Sequence, residues 1–244
     1  MEDIIKYIED SDKENIEMGI KLLNGSGKTP KNLIKLLNLD IIKFHQNYYE
    51  KLSEEKKRVI RSYQTSYFPI KNEFNLMYLK YDQKQELSKL LNNFDNSKVK
   101  KFVIDMKKEF NKDRKLLKNI IKNAPKFEHS FYLFRGVRHN NNYKKLKKYK
   151  VGDIYQMKDF ESFSLNPLVS IQFLGDDFCC LLRLKIGNPE IINGLCLHEI
   201  GKSYNHEAEV LLIKQKLVVS KIWKLEHPTD YDYFNIKVID LEIV

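Results

Sequence analysis

The apolar pattern of this 244-residue chain changes its period near residue 127, and that change restricts the fold more than any other feature. Up to residue 126, apolar residues recur every three or four positions, the spacing that places them on one side of an α-helix. From Phe131 onward, short runs rich in β-branched and aromatic residues are separated by Gly, Pro, Asp and Asn, as in strands joined by turns. Helices first and strands afterwards predict an α+β fold with a mostly antiparallel or mixed sheet, and not a repeated β-α-β unit.

The same change suggests how the chain is divided. We expect a helical N-terminal extension at 1–50 and one domain at 51–244, made of a helical lobe (51–126) and a β core (127–244). Within the β core one short helix is predicted from Pro167 to Leu174, because Asn166 suits an N-cap and Pro167 suits the first helical position. The predicted strands lie at 131–134, 152–155, 160–165, 178–186, 209–213, 217–223 and 233–244.

Composition excludes several classes of protein. Apolar residues make up 42% of the chain and aromatic residues 12%, so an intrinsically disordered chain is excluded. No apolar run is long enough to span a bilayer, and the start is acidic where a signal peptide would be basic. We therefore expect a cytoplasmic protein, with delivery into a host cell as an effector left open. The three Cys form no Cys-x-x-Cys pair and the His are scattered, so neither a disulfide framework nor a metal site is expected.

Charge is distributed unevenly between the two halves. Residues 1–150 hold 34 Lys and Arg against 19 Asp and Glu, whereas residues 151–244 hold 9 against 14. A basic half is attracted to acidic partners such as nucleic acid, an anionic surface or an acidic protein. Because Lys and Asn are common throughout, a solvated basic face is the simpler interpretation and nucleic-acid binding is not favoured.

Three segments of the strand half carry the residues with chemical potential. The first is Arg135-Gly136 at the end of an apolar strand, and the second is the run from Phe160 to Pro167, which contains Ser162 and Ser164. The third, Glu207-Ala208-Glu209, opens another apolar strand. Each segment alone has an ordinary explanation, as a polar turn, a half-buried strand face or a pair of surface carboxylates. Their joint occurrence in this order is the specific signal.

Together the segments resemble the Arg–Ser–Glu class of mono-ADP-ribosyltransferases, which includes clostridial toxin subunits, vertebrate ecto-enzymes and phage enzymes. That class has a strand ending in Arg-Gly, a second strand of the form Phe-x-Ser-x-Ser that often continues Leu-Asn-Pro, and a third that begins Glu/Gln-x-Glu. Phe163 departs from the pattern, where Thr is common, but its side chain points to the other strand face. A weaker upstream resemblance covers Tyr63, Ser66-Tyr67 and Asn72, so the likeness spans roughly residues 50 to 244.

The resemblance implies a fold with an NAD cleft and a set of site residues. Arg135 would pair with a phosphate or hold the nicotinamide ribose, and Gly136 would let the backbone approach the nicotinamide amide. Glu209 would stabilise the positive charge that develops on the ribose, and Ser162 would orient Glu209. On the same grounds Ser164 and Phe173 are expected to contact NAD.

The resemblance also implies an acceptor, a protein side chain with arginine expected. Glu207 would align the guanidinium and take its proton, and Tyr204 would touch the target protein from a loop that covers residues 195–206. Three alternatives remain open: an NAD glycohydrolase in which water replaces the acceptor, transfer to a nucleic-acid base, and a non-catalytic basic binding module.

Overall fold

The computed structural model describes residues 39–65, 85, 89, 96–127, 130–137, 145–157, 159–174, 180–197, 200, 208–228 and 233–244. Within these ranges helices come first and a mixed eight-stranded sheet follows, as the sequence predicts. The helical pattern expected before residue 39 lies outside them, as does the pattern at 87–91 except for residue 89. The helices are α1 (Leu39–Glu50), α2 (Glu54–Thr65), α3 (Asn96–Lys122) and α4 (Pro167–Gln172). The strands are β1 (Phe131–Val137), β2 (Ile154–Gln156), β3 (Phe160–Ser164), β4 (Cys180–Ile186), β5 (Gly194–Cys196), β6 (Glu209–Ile213), β7 (Lys216–Pro228) and β8 (Tyr233–Ile243).

Helices α1 to α3 form a lobe that is tied together by polar contacts as well as by apolar packing. Arg58 of α2 donates two hydrogen bonds to the carboxylate of Asp113 on α3, at 3.0 and 2.6 Å. The Tyr48 hydroxyl of α1 donates to the Ile120 carbonyl of α3 at 2.8 Å. None of the helices in the described ranges is long and apolar enough to cross a bilayer.

Helix α1 lies in the segment predicted as an N-terminal extension, and it packs against the sheet. Ile42, His45 and Tyr49 are buried at spacings of three and four residues, which is the periodicity of a helix with one side covered. The His45 ring stacks on Phe127 with centroids 5.2 Å apart, and its Nδ1 accepts the Cys196 backbone N–H of β5 at 3.2 Å. The described part of this segment therefore contributes to the core.

The strand order is β2-β7-β8-β4-β1-β3-β6-β5, with β4 and β8 parallel and the other neighbours antiparallel. The sequence did not predict β5, because three residues are too few to show an alternation. Its pairing with β6 places Gly194 opposite Leu212. The predicted acceptor loop at 195–206 is therefore wrong at its start: Leu195, Cys196 and Leu197 are at most 3% exposed.

One face of β3 and β6 changes character along its length. Phe160 of β3 and Leu211 and Ile213 of β6 pack under helices α2 and α3, where each is buried. Two residues further along β3 or β6, the same face carries Ser162 and Glu209, which are half-buried. The polar end of this face is where the candidate site lies.

Candidate active site

Three strands bring the sequence-predicted residues Arg135, Ser162 and Glu209 together. Strand β3 pairs with β6 so that Ser164 lies opposite Glu209, and β1 pairs with β3 so that Phe134 lies opposite Ser164. Residues directly opposite each other share a face, and strand residues two apart do so as well. Ser162, Ser164 and Glu209 therefore project from one face of two neighbouring strands.

Arg135 spans the gap between β1 and β3. The described ladder between these strands contains one pair, Phe134 with Ser164, so the strands separate next to it. The half-buried Arg135 side chain crosses there, and its Nη1 donates to the Ser162 carbonyl at 2.5 Å. Its Cζ lies 6.0 Å from the centre of the Phe163 ring, within cation–π range. A fixed guanidinium thus stands at the mouth of the opening between the two strands.

Tyr63 of α2 joins the helical lobe to the carboxylate of Glu209. Its hydroxyl donates to Glu209 Oε1 at 3.2 Å, and the Ser162 hydroxyl bonds to the Tyr63 oxygen. Burial raises the pKa of Tyr63 well above its usual range and the charge of Glu209 adds to the rise, while Arg135 and Ser162 oppose it. Tyr63 therefore stays protonated and remains a donor to Glu209.

The predicted link between Ser162 and Glu209 thus runs through Tyr63. Sequence reasoning placed Tyr63 in the upstream resemblance but gave it no role in the site. The sequence offered no sign of this contact beyond the presence of a tyrosine, because Tyr63 and Glu209 are 146 positions apart along the chain. Such a contact becomes visible only when α2 is placed over the end of β6.

Ser164 has a structural task besides the NAD contact predicted for it. Its Oγ accepts the backbone N–H of Asn166 at 2.9 Å, which fixes the turn into α4. The next residue, Leu165, donates its N–H to the Ala208 carbonyl at 3.0 Å. Ala208 has a φ of 44°, in the left-handed region that is costly for a residue with a Cβ. The turn after β3 therefore makes a hydrogen bond to Ala208, the strained residue that directly precedes Glu209.

Gly136 is required by the packing of α4 on β1. A Cβ at this position would lie 2.0 Å from the Ser170 carbonyl oxygen and 3.2 Å from the Phe173 Cβ. No side chain fits there, which explains the glycine without any ligand; the proposed approach of its backbone to nicotinamide stays a prediction. Phe173 lies beside it at 44% exposure, so its ring is accessible for the NAD contact predicted from the sequence.

Glu207 and Tyr204, the two residues assigned to the acceptor, lie outside the described residues. Their roles therefore stay predictions. What the described residues do show is a cleft-side set of one guanidinium, one carboxylate and two hydroxyl groups, carried by Arg135, Glu209, Ser162 and Tyr63. This set can bind an anion through the guanidinium and stabilise a cation through the carboxylate.

No family model matches the chain, and no curated protein matches it. Solved structures do match. C2-I, the enzymatic component of the C2 toxin of Clostridium botulinum, aligns with a TM-score of 0.55 at 18% identity over 84% of this chain. The chain has the fold of ADP-ribosyltransferase toxins.

Two further toxins of this fold show the same extent of likeness. Vis from Vibrio splendidus, an ADP-ribosyltransferase solved with agmatine, gives a TM-score of 0.53 at 15% identity and covers 92% of this chain and 90% of its own. BECa of Clostridium perfringens, an ADP-ribosylating toxin solved with NADH, gives 0.57 at 12% identity over 86% of this chain. The chain spans about half the length of C2-I and BECa, at 46% and 48%, and most of Vis.

Proposed function

We propose that this chain is an NAD-dependent mono-ADP-ribosyltransferase that modifies a protein side chain, with arginine as the acceptor, and releases nicotinamide. The observation that supports it best is the convergence of Arg135, Ser162 and Glu209 on three neighbouring strands, with Tyr63 bonded to the carboxylate. These are the positions that the sequence resemblance selects, and the ADP-ribosyltransferase-toxin fold is an independent reason to expect the same chemistry.

The site residues fit the two charges that NAD presents during cleavage. Arg135 offers a planar fork of N–H donors to the pyrophosphate, and one of its nitrogens already bonds to the Ser162 carbonyl. When the bond between the ribose C1′ and nicotinamide breaks, the electron pair leaves with nicotinamide and positive charge develops on the ribosyl group. The Glu209 carboxylate, oriented by the Tyr63 hydroxyl, would stabilise that charge at the cleft. BECa, with the same fold, was solved with NADH.

Arginine is proposed as the acceptor on two grounds. Glu207 stands two positions before Glu209, and a second carboxylate could align a guanidinium and accept the proton that it must lose to attack C1′. Vis, which shares the fold, was solved with agmatine, a small guanidinium compound. NAD glycohydrolysis is the second candidate, since each cleft-side group described above acts on NAD and none of them requires an acceptor other than water.

One assay on two matched variants tests the proposal. Free nicotinamide reports cleavage, and transfer of labelled ADP-ribose to agmatine or to lysate protein reports transfer. Glu209→Gln should reduce both by at least about 10²-fold, the typical loss for a preorganised electrostatic group. Glu207→Gln has the same change of charge two residues away, and it should abolish transfer while cleavage continues.

Three outcomes would contradict parts of the proposal. No NAD cleavage by the folded wild type would remove the enzyme assignment. Equal loss of cleavage in both variants would refute the division of roles between the two carboxylates. Strong cleavage with no labelled acceptor would replace the transferase by the glycohydrolase.

A further inference from the structure

The interior face of β3 carries a carboxylate that the proposed reaction does not use. Glu161 stands directly before Ser162, and because neighbouring strand residues alternate, its side chain points to the opposite face. It is 4% exposed, and the Tyr155 hydroxyl of β2 donates to its Oε2 at 2.6 Å. Glutamate is rarely buried to this degree without hydrogen bonds and nearby positive charge.

Tyr155 is held firmly enough to act as a fixed donor. Burial raises the pKa of Tyr155 well above its usual range, and the charge of Glu161 adds to the rise, so the hydroxyl keeps its proton. The Tyr149 ring packs edge-to-face against the Tyr155 ring, with centroids 6.3 Å apart. Glu161 is thus bonded to a side chain that is itself restrained by packing.

Arg135 is a cation on the same face of the neighbouring strand: Phe134 pairs with Ser164, so the next residue, Arg135, lies on the face that carries Phe163 and Glu161. It lies over Phe163, which shares the interior strand face with Glu161 two residues away. Its positive charge acts on the hydroxyls of both Tyr155 and Tyr63, and lowers the pKa of each against the larger effect of burial. The charge of Arg135 therefore acts on two tyrosine–glutamate pairs, one at the cleft and one in the interior.

We propose that Glu161, held by Tyr155, is a positioning residue that fixes the Arg135 guanidinium for the pyrophosphate of NAD. An arginine side chain has many rotamers, and ordering it when a ligand binds costs free energy. A buried carboxylate on the same strand face attracts the guanidinium and restrains it before the ligand binds, so that less ordering is left to the binding step. The inference rests on the proposed function, since it assigns Arg135 to NAD.

The test separates binding of NAD from turnover. Glu161→Gln keeps the shape and an oxygen acceptor for Tyr155 but removes the charge. We expect Kd and KM for NAD to rise about tenfold, by analogy with residues that orient metal ligands, while kcat changes little. Tyr155→Phe should act in the same direction with a smaller factor. Tyr149→Phe is the matched control, because it removes a hydroxyl from the neighbouring ring and leaves the Tyr155–Glu161 bond in place.

A double-mutant cycle with Arg135→Lys distinguishes positioning from a general structural role. If Glu161 acts through Arg135, then Glu161→Gln should add little further loss of NAD affinity when Arg135 is already lysine. An equal loss in both backgrounds, unchanged affinity, or tighter binding by Glu161→Gln would each overturn the proposal. Should Glu161→Gln fail to fold, Tyr155→Phe carries the same cycle. Failure of the proposed function is recognised separately, because the wild type itself would then neither bind nor cleave NAD.

Discussion

The two ends of one sheet face, formed by β3 and β6, differ in what covers them. At one end Phe160, Leu211 and Ile213 lie under helices α2 and α3 and are buried. At the other end Ser162 and Glu209 are half-buried at the opening beside β1. Ser162 and Leu211 lie opposite each other, so the boundary falls within a single cross-strand pair. The same two strands therefore stabilise the fold at one end and present chemistry at the other.

The largest expected effect is the loss of folding stability when a buried residue of the covered end is truncated. Leu211 is completely buried, so Leu211→Ala should lower the free energy of unfolding by about 2–5 kcal/mol, through lost transfer free energy and a cavity. Urea unfolding measures it, and NAD turnover per folded molecule should be preserved. Ile154→Ala is the matched control: Ile154 of β2 is 40% exposed, so its truncation should lower the free energy of unfolding far less. A large loss of turnover with unchanged stability would show that the boundary is misplaced.

The second prediction concerns pH and the joint between α1 and β5 at the edge of the covered end. Burial lowers the pKa of His45 from 6.5 to about 4, and its Nε2 has no hydrogen-bond partner among the described residues. In the unfolded chain His45 becomes protonated below pH 6.5, whereas in the folded chain it stays neutral until about pH 4. Stability should therefore fall as pH decreases through this window, by about 3 kcal/mol in all.

The comparison variant for this prediction is His45→Gln, which keeps an acceptor for the Cys196 N–H but cannot titrate. Subtracting its unfolding free energy from that of the wild type at each pH removes the contribution of the other carboxyl and histidine groups. The difference should be constant above pH 6.5 and should shrink towards pH 4. A difference that does not change with pH would mean that His45 is protonated equally in the folded and unfolded states.

The order of elements and the three strand motifs could be predicted from the sequence because both are encoded locally. The change of apolar period marks where strands replace helices, and Arg135, Ser162 and Glu209 each stand at a position fixed by their own strand. The expectation that these three residues meet in one cleft came from the family resemblance and not from the local pattern. The roles of all these residues in NAD binding and catalysis remain predictions, and Glu207 and Tyr204 also lie outside the described residues.

What the sequence missed depends on contacts between distant segments. Tyr63 bonds to Glu209, which is 146 positions away in the sequence, and no local pattern around Tyr63 predicts this contact. A charged side chain such as that of Glu161 is usually found at the surface. In the folded sheet, however, Glu161 is buried beside Tyr155. The resemblance assigns Gly136 to a close approach of NAD, whereas the Ser170 carbonyl alone already excludes a side chain at this position.

The smallest expected effects come from the two serines of β3, which share a face two residues apart. Ser162→Ala removes the hydroxyl that bonds to Tyr63, so NAD turnover should fall by about tenfold, equivalent to roughly 1.4 kcal/mol, with little change in melting temperature. Ser164→Ala removes the acceptor for the Asn166 N–H in a buried turn, so unfolding free energy should fall by about 1 kcal/mol. Parallel measurement of turnover and thermal unfolding tests both. If Ser162→Ala lowers stability and spares turnover, its hydroxyl belongs to the structural end of the strand, and the boundary lies closer to Glu209.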